Sequence, residues 1–546
     1  MNRFFYFIFF CLLFTGFLPA QEALKSIEEE YYDFLALQGL TERPFLNYRT
    51  LSDSAWSVKE DASHPWQEQN LGTWHDLFGN FRMKVFGPEL FMSGNTAAPY
   101  GQNDGLLWQG RGFNMLLKGG VRFEGYGVEL TLLPHLAFSQ NAAFELMPSA
   151  YESEYGYIWG YAYGIGIDAP QRFGDSPFFD WDFGDSEIRY TWKTLTIGFG
   201  TQAIWLGPSY ITSILHSNNA PAYPKFDIGL RRQSVTIPWV NWYIGDVEAR
   251  LWVGYLSESD YFDNDNSNNY SMLHGFAFAY APSFLPGLTL FVNRVCLVQW
   301  EWENLKYMFP SSDNSDEDQK ASFGFSWIFP QVGFEVFAEI GIDDYVGGLS
   351  SNLRRPFHTT VYNLGLKKTL KIVPEKKIYG EIIFEFNWMD MTQDFQFQWP
   401  YSFYFHHAQT HGYTNRGQLL ANAVSPGGNS QYLSFLLYYP KGSSMLFLGR
   451  NNPDDNFIFR NAVSNPEREG YSNEKYYKGY MANVNLGVNT NYYFNSYLLL
   501  SGGFIFNLKI NPYYYLDKSD DVDPDGYKGQ TNLKNFSFQL CIKFFL

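Results

Sequence analysis

Apolar and polar side chains alternate in segments of about ten residues, from near residue 80 to the end of the chain. The clearest segment is 378–388. There Ile378, Gly380, Ile382, Phe384, Phe386 and Trp388 face one way, and Tyr379, Glu381, Ile383, Glu385 and Asn387 face the other. Period two is the signature of a strand, which a soluble sandwich would share. Two glutamates and an asparagine along one side of a single strand suit a wet lumen instead. Val332, Phe334, Val336, Ala338 and Ile340 stand against Glu335 and Glu339 in the same way. Phe504, Phe506, Leu508 and Ile510 stand against Asn507 and Lys509, and Leu433, Phe435, Leu437 and Tyr439 alternate with smaller or mixed residues. At the end, Phe536, Phe538, Leu540, Ile542, Phe544 and Leu546 share one face, as expected of a strand that closes a barrel.

Aromatic residues make up 20% of the chain and are spread along its whole length, whereas a soluble domain would gather most of them in a core. A barrel wall facing lipid has many such positions. After residue 20 there is no apolar run of about 18 residues, the length a helical span needs, so a membrane could be crossed only by a closed barrel. The formal net charge is −17, which disfavours nucleic acid, because a phosphate backbone requires basic neutralisation. Polar stretches of uneven length, such as 260–269, 311–320 and 517–529, separate the segments. At about 10 residues per crossing there is room for roughly 16 to 20 strands.

Residues 1–20 read as a signal peptide: Asn2 and Arg3, an apolar run from Phe4 to Leu18, then Pro19-Ala20. Cys11 lies inside that run, which argues against a lipoprotein anchor. Residues 23–38 read as a helix, with Leu24, Ile27, Tyr31, Phe34 and Leu35 at helical spacing and Gly39 as the stop. The expected division is therefore a signal peptide over 1–20, a small periplasmic helical element and linker over 21–70, and a transmembrane barrel over 71–546. Cys296 and Cys541 remain after the signal peptide; export would permit a disulfide between them, and neither suggests chemistry.

Three stretches are more distinctive than the alternation. One is Gly200-Thr201-Gln202-Ala203-Ile204-Trp205-Leu206-Gly207-Pro208, followed by Ser217-Asn218-Asn219-Ala220-Pro221. Another is Gly412-Tyr413-Thr414-Asn415-Arg416-Gly417-Gln418-Leu419-Leu420, followed by Ser425-Pro426-Gly427-Gly428-Asn429-Ser430. The third is Pro99-Tyr100-Gly101-Gln102-Asn103-Asp104-Gly105, followed by Trp108-Gln109-Gly110-Arg111-Gly112. In their order along the chain they resemble the capsule assembly protein family called Wzi, from about residue 23 to 440. The part around Arg172-Phe173-Gly174-Asp175 resembles a Bacteroidetes-type branch of it. Ser209, where the family often has Gly or Ala, and the terminal Leu546, where barrels usually end in Phe, depart from the pattern. The resemblance implies an all-β transmembrane fold: an antiparallel outer-membrane barrel of about 18 strands, its lower end obstructed by periplasmic helices. It also implies a lectin-like role in holding capsular polysaccharide.

Sugar recognition uses flat aromatics against sugar faces, and amides, carboxylates and arginine toward hydroxyls or acidic groups. Residues 401–418 are rich in these types, with Tyr401, Tyr404, His406, His407, His411, Tyr413, Asn415, Arg416 and Gln418. The candidate ligand-binding set is Trp205, Gln202, Asn219, Tyr404, His407, His411, Tyr413, Arg416 and Gln418. Arg416 is the choice for an anionic sugar group, because its planar fork matches a carboxylate. The same residues could instead form a polar network that packs an inward loop. Gly207 and Pro208 suit a tight inward turn. Arg231, Arg232, Arg250 and Arg294 are expected to face lumenal carboxylates.

Asp521, Asp523 and Asp525 begin a calcium-type loop, but Asn532 stands where its closing glutamate would be. A surface calcium ion is the one cofactor considered. No nucleophile elbow, zinc-protease motif or phosphate loop is present in the sequence. The expected function is non-catalytic attachment of capsular or surface polysaccharide by a monomer in outer-membrane lipid. The alternatives are a small-solute channel, a glycan- or lipid-active enzyme, and a scaffold subunit of a surface assembly.

Overall fold

The alternation is realised as a closed antiparallel barrel in the computed structural model. It describes residues 20–60, 62–147, 153–156, 166–309, 317–343, 350, 353–392, 402–456, 479–514 and 531–546. The expected signal peptide, apart from its last residue, Tyr401 and the loop carrying Asp521, Asp523 and Asp525 lie outside the described residues.

Among the described residues eighteen strands form the wall. They are β1 (Arg82–Asn95), β2 (Gly112–Gly125), β3 (Val128–Leu132 and His135–Ser139), β4 (Phe178–Asp182 and Glu187–Trp192), β5 (Leu195–Gly200) and β6 (Lys225–Ile237). Then come β7 (Trp242–Ser257), β8 (Tyr270–Pro282), β9 (Leu288–Gln299), β10 (Asp318–Phe329), β11 (Phe334–Asp343) and β12 (Thr360–Val373). The last are β13 (Ile378–Trp388), β14 (Asn429–Tyr439), β15 (Gly442–Asn452), β16 (Ala482–Asn495), β17 (Leu498–Ile510) and β18 (Leu533–Phe544). β3 is split at Pro134, which has no N–H for the ladder; β2 still pairs with both halves. The ring closes where β18 pairs with β1, from Ser537↔Asn95 to Lys543↔Glu89. Closure leaves no strand edge unpaired in lipid. Among the described residues no helix is long and apolar enough to cross a membrane.

The expected faces hold. On β13, Glu381, Ile383, Glu385 and Asn387 are buried inside while Trp388 is exposed. On β18, Phe536, Phe538 and Leu540 point outward and Asn535 and Ser537 inward. Val332 differs: it sits in the turn before β11 rather than on the strand. Trp239, Trp242 and Phe284 are exposed at one rim and Trp302 and Phe309 at the other, as in the aromatic girdles of outer-membrane barrels.

The helix α1 (Ile27–Leu37) is shorter than 23–38, because Ser26 caps it and its Oγ accepts from Glu29 N at 3.1 Å. Gly39 then ends it with φ +71°. Its apolar face cannot stay in water, and the barrel interior covers it. Tyr31 stacks on Trp66 at 4.0 Å, and Phe34 stacks on Tyr438 of β14 at 4.2 Å. Trp66 Nε1 donates to Gly442 O at 3.0 Å. The N-terminal element is thus inserted into the lumen from the short-turn end rather than hanging beneath it. Short turns mark the periplasmic end of such barrels.

Wall glutamates pin this plug. Glu248 of β7 accepts from Leu46 N, Asn47 N and Tyr48 N at 2.7, 3.0 and 2.7 Å. Arg250 and Arg231 both reach Asp53 of the plug, at 3.0 and 2.9 Å. Burial alone would raise the Asp53 pKa, but Arg250, Arg231 and Arg189 hold its carboxyl well below the usual range. Arg232 pairs with Asp246 at 2.7 Å. Arg294 differs from expectation: its guanidinium meets the amide of Gln319 at 3.0 Å. Cys296 and Cys541 are free thiols, on β9 and β18.

Candidate functional site

At the long-loop end, residues 201–224 and 402–428 fold inward and meet the plug. Trp205 and Leu206 pair with Arg49 and Tyr48 in a two-residue ladder. Gly207 makes the turn that follows, at φ +80°; a Cβ there would lie 2.6 Å from Glu339 Oε2. Its N–H donates to Asn47 Oδ1 at 3.0 Å. Beyond it, Thr212 N donates to Glu385 Oε1 at 2.8 Å and Ile211 N at 3.2 Å, and Tyr210 N also donates to Glu385. Glu385 therefore secures this loop as Glu248 secures the plug.

The later motif is a tight hairpin, Thr414–Asn415 paired with Gln418–Leu419. Its two central residues, Arg416 and Gly417, have φ +50° and +80°, as a two-residue turn of the primed type requires. A Cβ on Gly417 would meet Phe173 at 2.8 Å. Arg416 N donates to Ser257 O at 2.7 Å, and Gly417 N donates to Asp168 Oδ2 at 3.1 Å. Burial raises the Asp168 pKa to about 6 against the lowering effect of its bonds from Ser259 and Gly417.

Most of the nominated residues build this filling. Trp205 is buried, with Lys25 Nζ 5.1 Å above its ring. Gln202 Oε1 accepts from Ser52 N at 3.0 Å. Tyr404 and Tyr413 are buried and stacked at 5.9 Å, and Tyr404 OH donates to Ile214 O at 2.8 Å. His411 is buried and shares a 2.5 Å hydrogen bond with Ser271 Oγ. Burial lowers its pKa to about 4, so it is neutral at pH 7. The Arg416 guanidinium is paired with Asp180. His407 is exposed and packs on His406, ring centroids 4.3 Å apart. Among the described residues no cluster of three or more metal-ligating side chains is present.

Two of the nine, Asn219 and Gln418, border a cavity of about 360 Å³ at the mouth of the barrel. Asn219 Oδ1 accepts from Asn103 N at 3.0 Å and its Nδ2 donates to Leu419 O at 2.9 Å; Gln418 Nε2 donates to Gly105 O at 3.0 Å. Together they bind the three distinctive sequence stretches to one another. The other walls were not singled out as a site from sequence. Tyr100, Trp108 and Tyr513 supply aromatic rings, and Gln102, Gln109, Asn451, Asn483, Asn485 and Asn507 supply amides, with Lys509 among them. The readable signal was the spacing: Asn483/Asn485 and Asn507/Lys509 sit two apart on adjacent strands, so they share the lumenal face. Asp104 borders this cavity and two deeper ones, of about 220 and 310 Å³. Burial raises its pKa to about 7, opposed by a 2.8 Å bond from Gln109 Nε2.

This geometry has counterparts among known proteins. The sequence profile of the capsule assembly protein Wzi family matches residues 178–456. The 99–112 stretch lies outside that match. In structure the chain is similar to Wzi of Escherichia coli, described as an outer-membrane protein involved in group 1 capsule assembly and a carbohydrate-binding β-barrel. The TM-score is 0.53 at 13% identity, over 86% of this chain and 85% of that one. Pseudomonas putida OprB superposes with a TM-score of 0.36 at 10% identity, over 85% of this chain and 94% of that one. No curated protein sequence matches the chain. With the family profile spanning 178–456, just over half of the 546 residues, and an eighteen-stranded closed barrel around it, the chain belongs to the Wzi capsule assembly family of the outer membrane.

Proposed function

We propose that the protein is a lectin-like, non-catalytic attachment point, holding capsular or other surface polysaccharide to the cell as a monomer in outer-membrane lipid. The observation that carries this reading is the mouth cavity: about 360 Å³, lined by amides and four aromatic rings, above a lumen filled by the plug and two inward loops. Aromatic faces suit the C–H faces of sugar rings, and amides suit paired hydroxyls. The description of the Escherichia coli protein as a carbohydrate-binding barrel supports the same reading. Asn219 and Gln418 are the nominated residues placed to touch a glycan there. Cells lacking the gene should make a normal amount of polymer and shed most of it into the medium. Retention of a firmly attached capsule by such cells would overturn the role.

A small-solute channel is the second reading, and the row of three cavities bordering Asp104 is what favours it. Steady open-pore current in a planar bilayer would support that reading over attachment.

A further inference from the structure

The inward-facing lysines of this barrel follow a rule. Each has an oxygen partner: Lys84 pairs with Glu22 at 3.0 Å, Lys118 with Glu89 at 2.9 Å, Lys320 with Asp343 at 2.8 Å and Lys367 with Asp33 at 2.6 Å, and Lys225 donates to the backbone oxygen of Gln202. Lys509, near the mouth end of β17, breaks it. Among the described residues no carboxylate or carbonyl oxygen partners its ammonium.

Its surroundings are built rather than incidental. Lys509 lies directly across from Asn483 in the β16–β17 register, and Asn507 directly across from Asn485. Side chains so paired stand about 5 Å apart. Asn507 Nδ2 donates to Asn485 Oδ1 at 2.5 Å, which fixes the amide orientation and leaves Asn507 Oδ1 without a partner. Asn483 Oδ1 and Gln109 Oε1 are likewise without a partner, and all three side chains are at least nine-tenths buried. One cation beside three unpartnered oxygen acceptors calls for a ligand with one negative charge and several hydroxyl donors. The two carboxylates on this cavity do not supply the charge: Asp104 is held by Gln109, and Glu145 is exposed at the rim.

We propose that Lys509, Asn483, Asn507 and Gln109 form a subsite for a uronic-acid-type sugar. The ammonium takes the sugar carboxylate, and the amide oxygens accept from its ring hydroxyls. This rests on the attachment reading and adds to it the class of sugar that is held. A lysine rather than an arginine fork suits a single charge approached from varied directions.

The test uses the full-length protein in detergent and capsular polysaccharide purified from the cells that make it, either native or with its carboxyl groups chemically reduced to alcohols. Wild type should bind native polymer roughly tenfold or more tightly than reduced polymer, the range expected for a charge-assisted contact. Lys509→Met should bind native polymer as weakly as wild type binds reduced polymer, with no further loss on reduction. Equal binding of native and reduced polymer by wild type would overturn the subsite and leave attachment standing, as would a polymer found to contain no carboxyl groups. Failure of wild type to bind either form would overturn attachment itself, and the subsite with it. The comparison of the two polymers on wild type needs no variant, so it decides the matter even if Lys509→Met does not fold.

Discussion

Arg43 of the plug and Glu335 of β11 meet in a two-point ion pair, Nη1 to Oε1 at 2.7 Å and Nη2 to Oε2 at 2.8 Å. Arg43 also reaches Asp33 of α1 at 2.6 Å, and Lys367 of β12 reaches the other Asp33 oxygen at 2.6 Å. Helix, plug and two strands are therefore joined by four charges. Arg43→Met would leave the Glu335 carboxylate buried beside one lysine. The expected loss is roughly 3–5 kcal/mol, read as a lower thermal midpoint. A change within half a kcal/mol would mean that the pair does not hold the plug.

Glu385 receives three successive backbone N–H groups from residues 210–212. Glu385→Leu leaves all three N–H groups without their carboxylate acceptor at a buried position, where each unsatisfied donor costs about 1–3 kcal/mol. Amide hydrogen exchange at 210–212 should rise at least tenfold while the barrel strands stay protected. Unchanged exchange would place the anchoring of this loop elsewhere.

The buried histidines of the filling should leave a pH-dependent mark on its stability. Burial lowers the pKa of His64, His216 and His411 to about 4, below the ordinary 6.5. All three lie in the plug or the inward loops. Between pH 6.5 and 4 the unfolded segments bind protons at these histidines that the folded ones do not, so the histidine contribution falls as the pH falls, while Glu22, Asp104 and Asp168, raised by burial, contribute in the opposite sense. Full exposure of one such group corresponds to about 3 kcal/mol. Asp33 and Asp53, held below the usual carboxylate range, withdraw their contributions only at still lower pH. Wild type should therefore lose stability relative to His216→Gln as the pH falls from 6.5 to 4, read as a widening difference in exchange of the inward-loop amides. A difference that stays constant across that window would contradict the buried neutral state of His216.

The strands were legible because a wall between lipid and lumen leaves its period in every segment, as Glu335/Glu339 and Glu381/Glu385 show. The helix was legible for the same reason, but its location was not: the apolar face of Tyr31, Phe34 and Leu35 would read identically against any greasy surface. In the richest sugar-like run, 401–418, the described side chains are mostly buried, because aromatics and amides also suit the interior of a plug. Asn507 and Lys509 were placed on the lumenal side by alternation alone. Their meeting with the 99–109 loop comes from closure of β18 on β1, a contact between chain ends that no local pattern announces.

Trp108 stands on the mouth cavity with its ring edge against Phe173, centroids 5.2 Å apart. Trp108→Ala should weaken binding of purified capsular polymer roughly tenfold, or about 1–2 kcal/mol, without moving the thermal midpoint. Unchanged affinity in a folded variant would take the sugar away from this wall.

The proposed role requires a barrel that anchors polysaccharide and does not conduct. Reconstituted into a planar bilayer at neutral pH, the protein should insert and remain electrically silent at moderate voltage, because plug and loops fill the lumen. A steady ohmic current from single inserted molecules would contradict it.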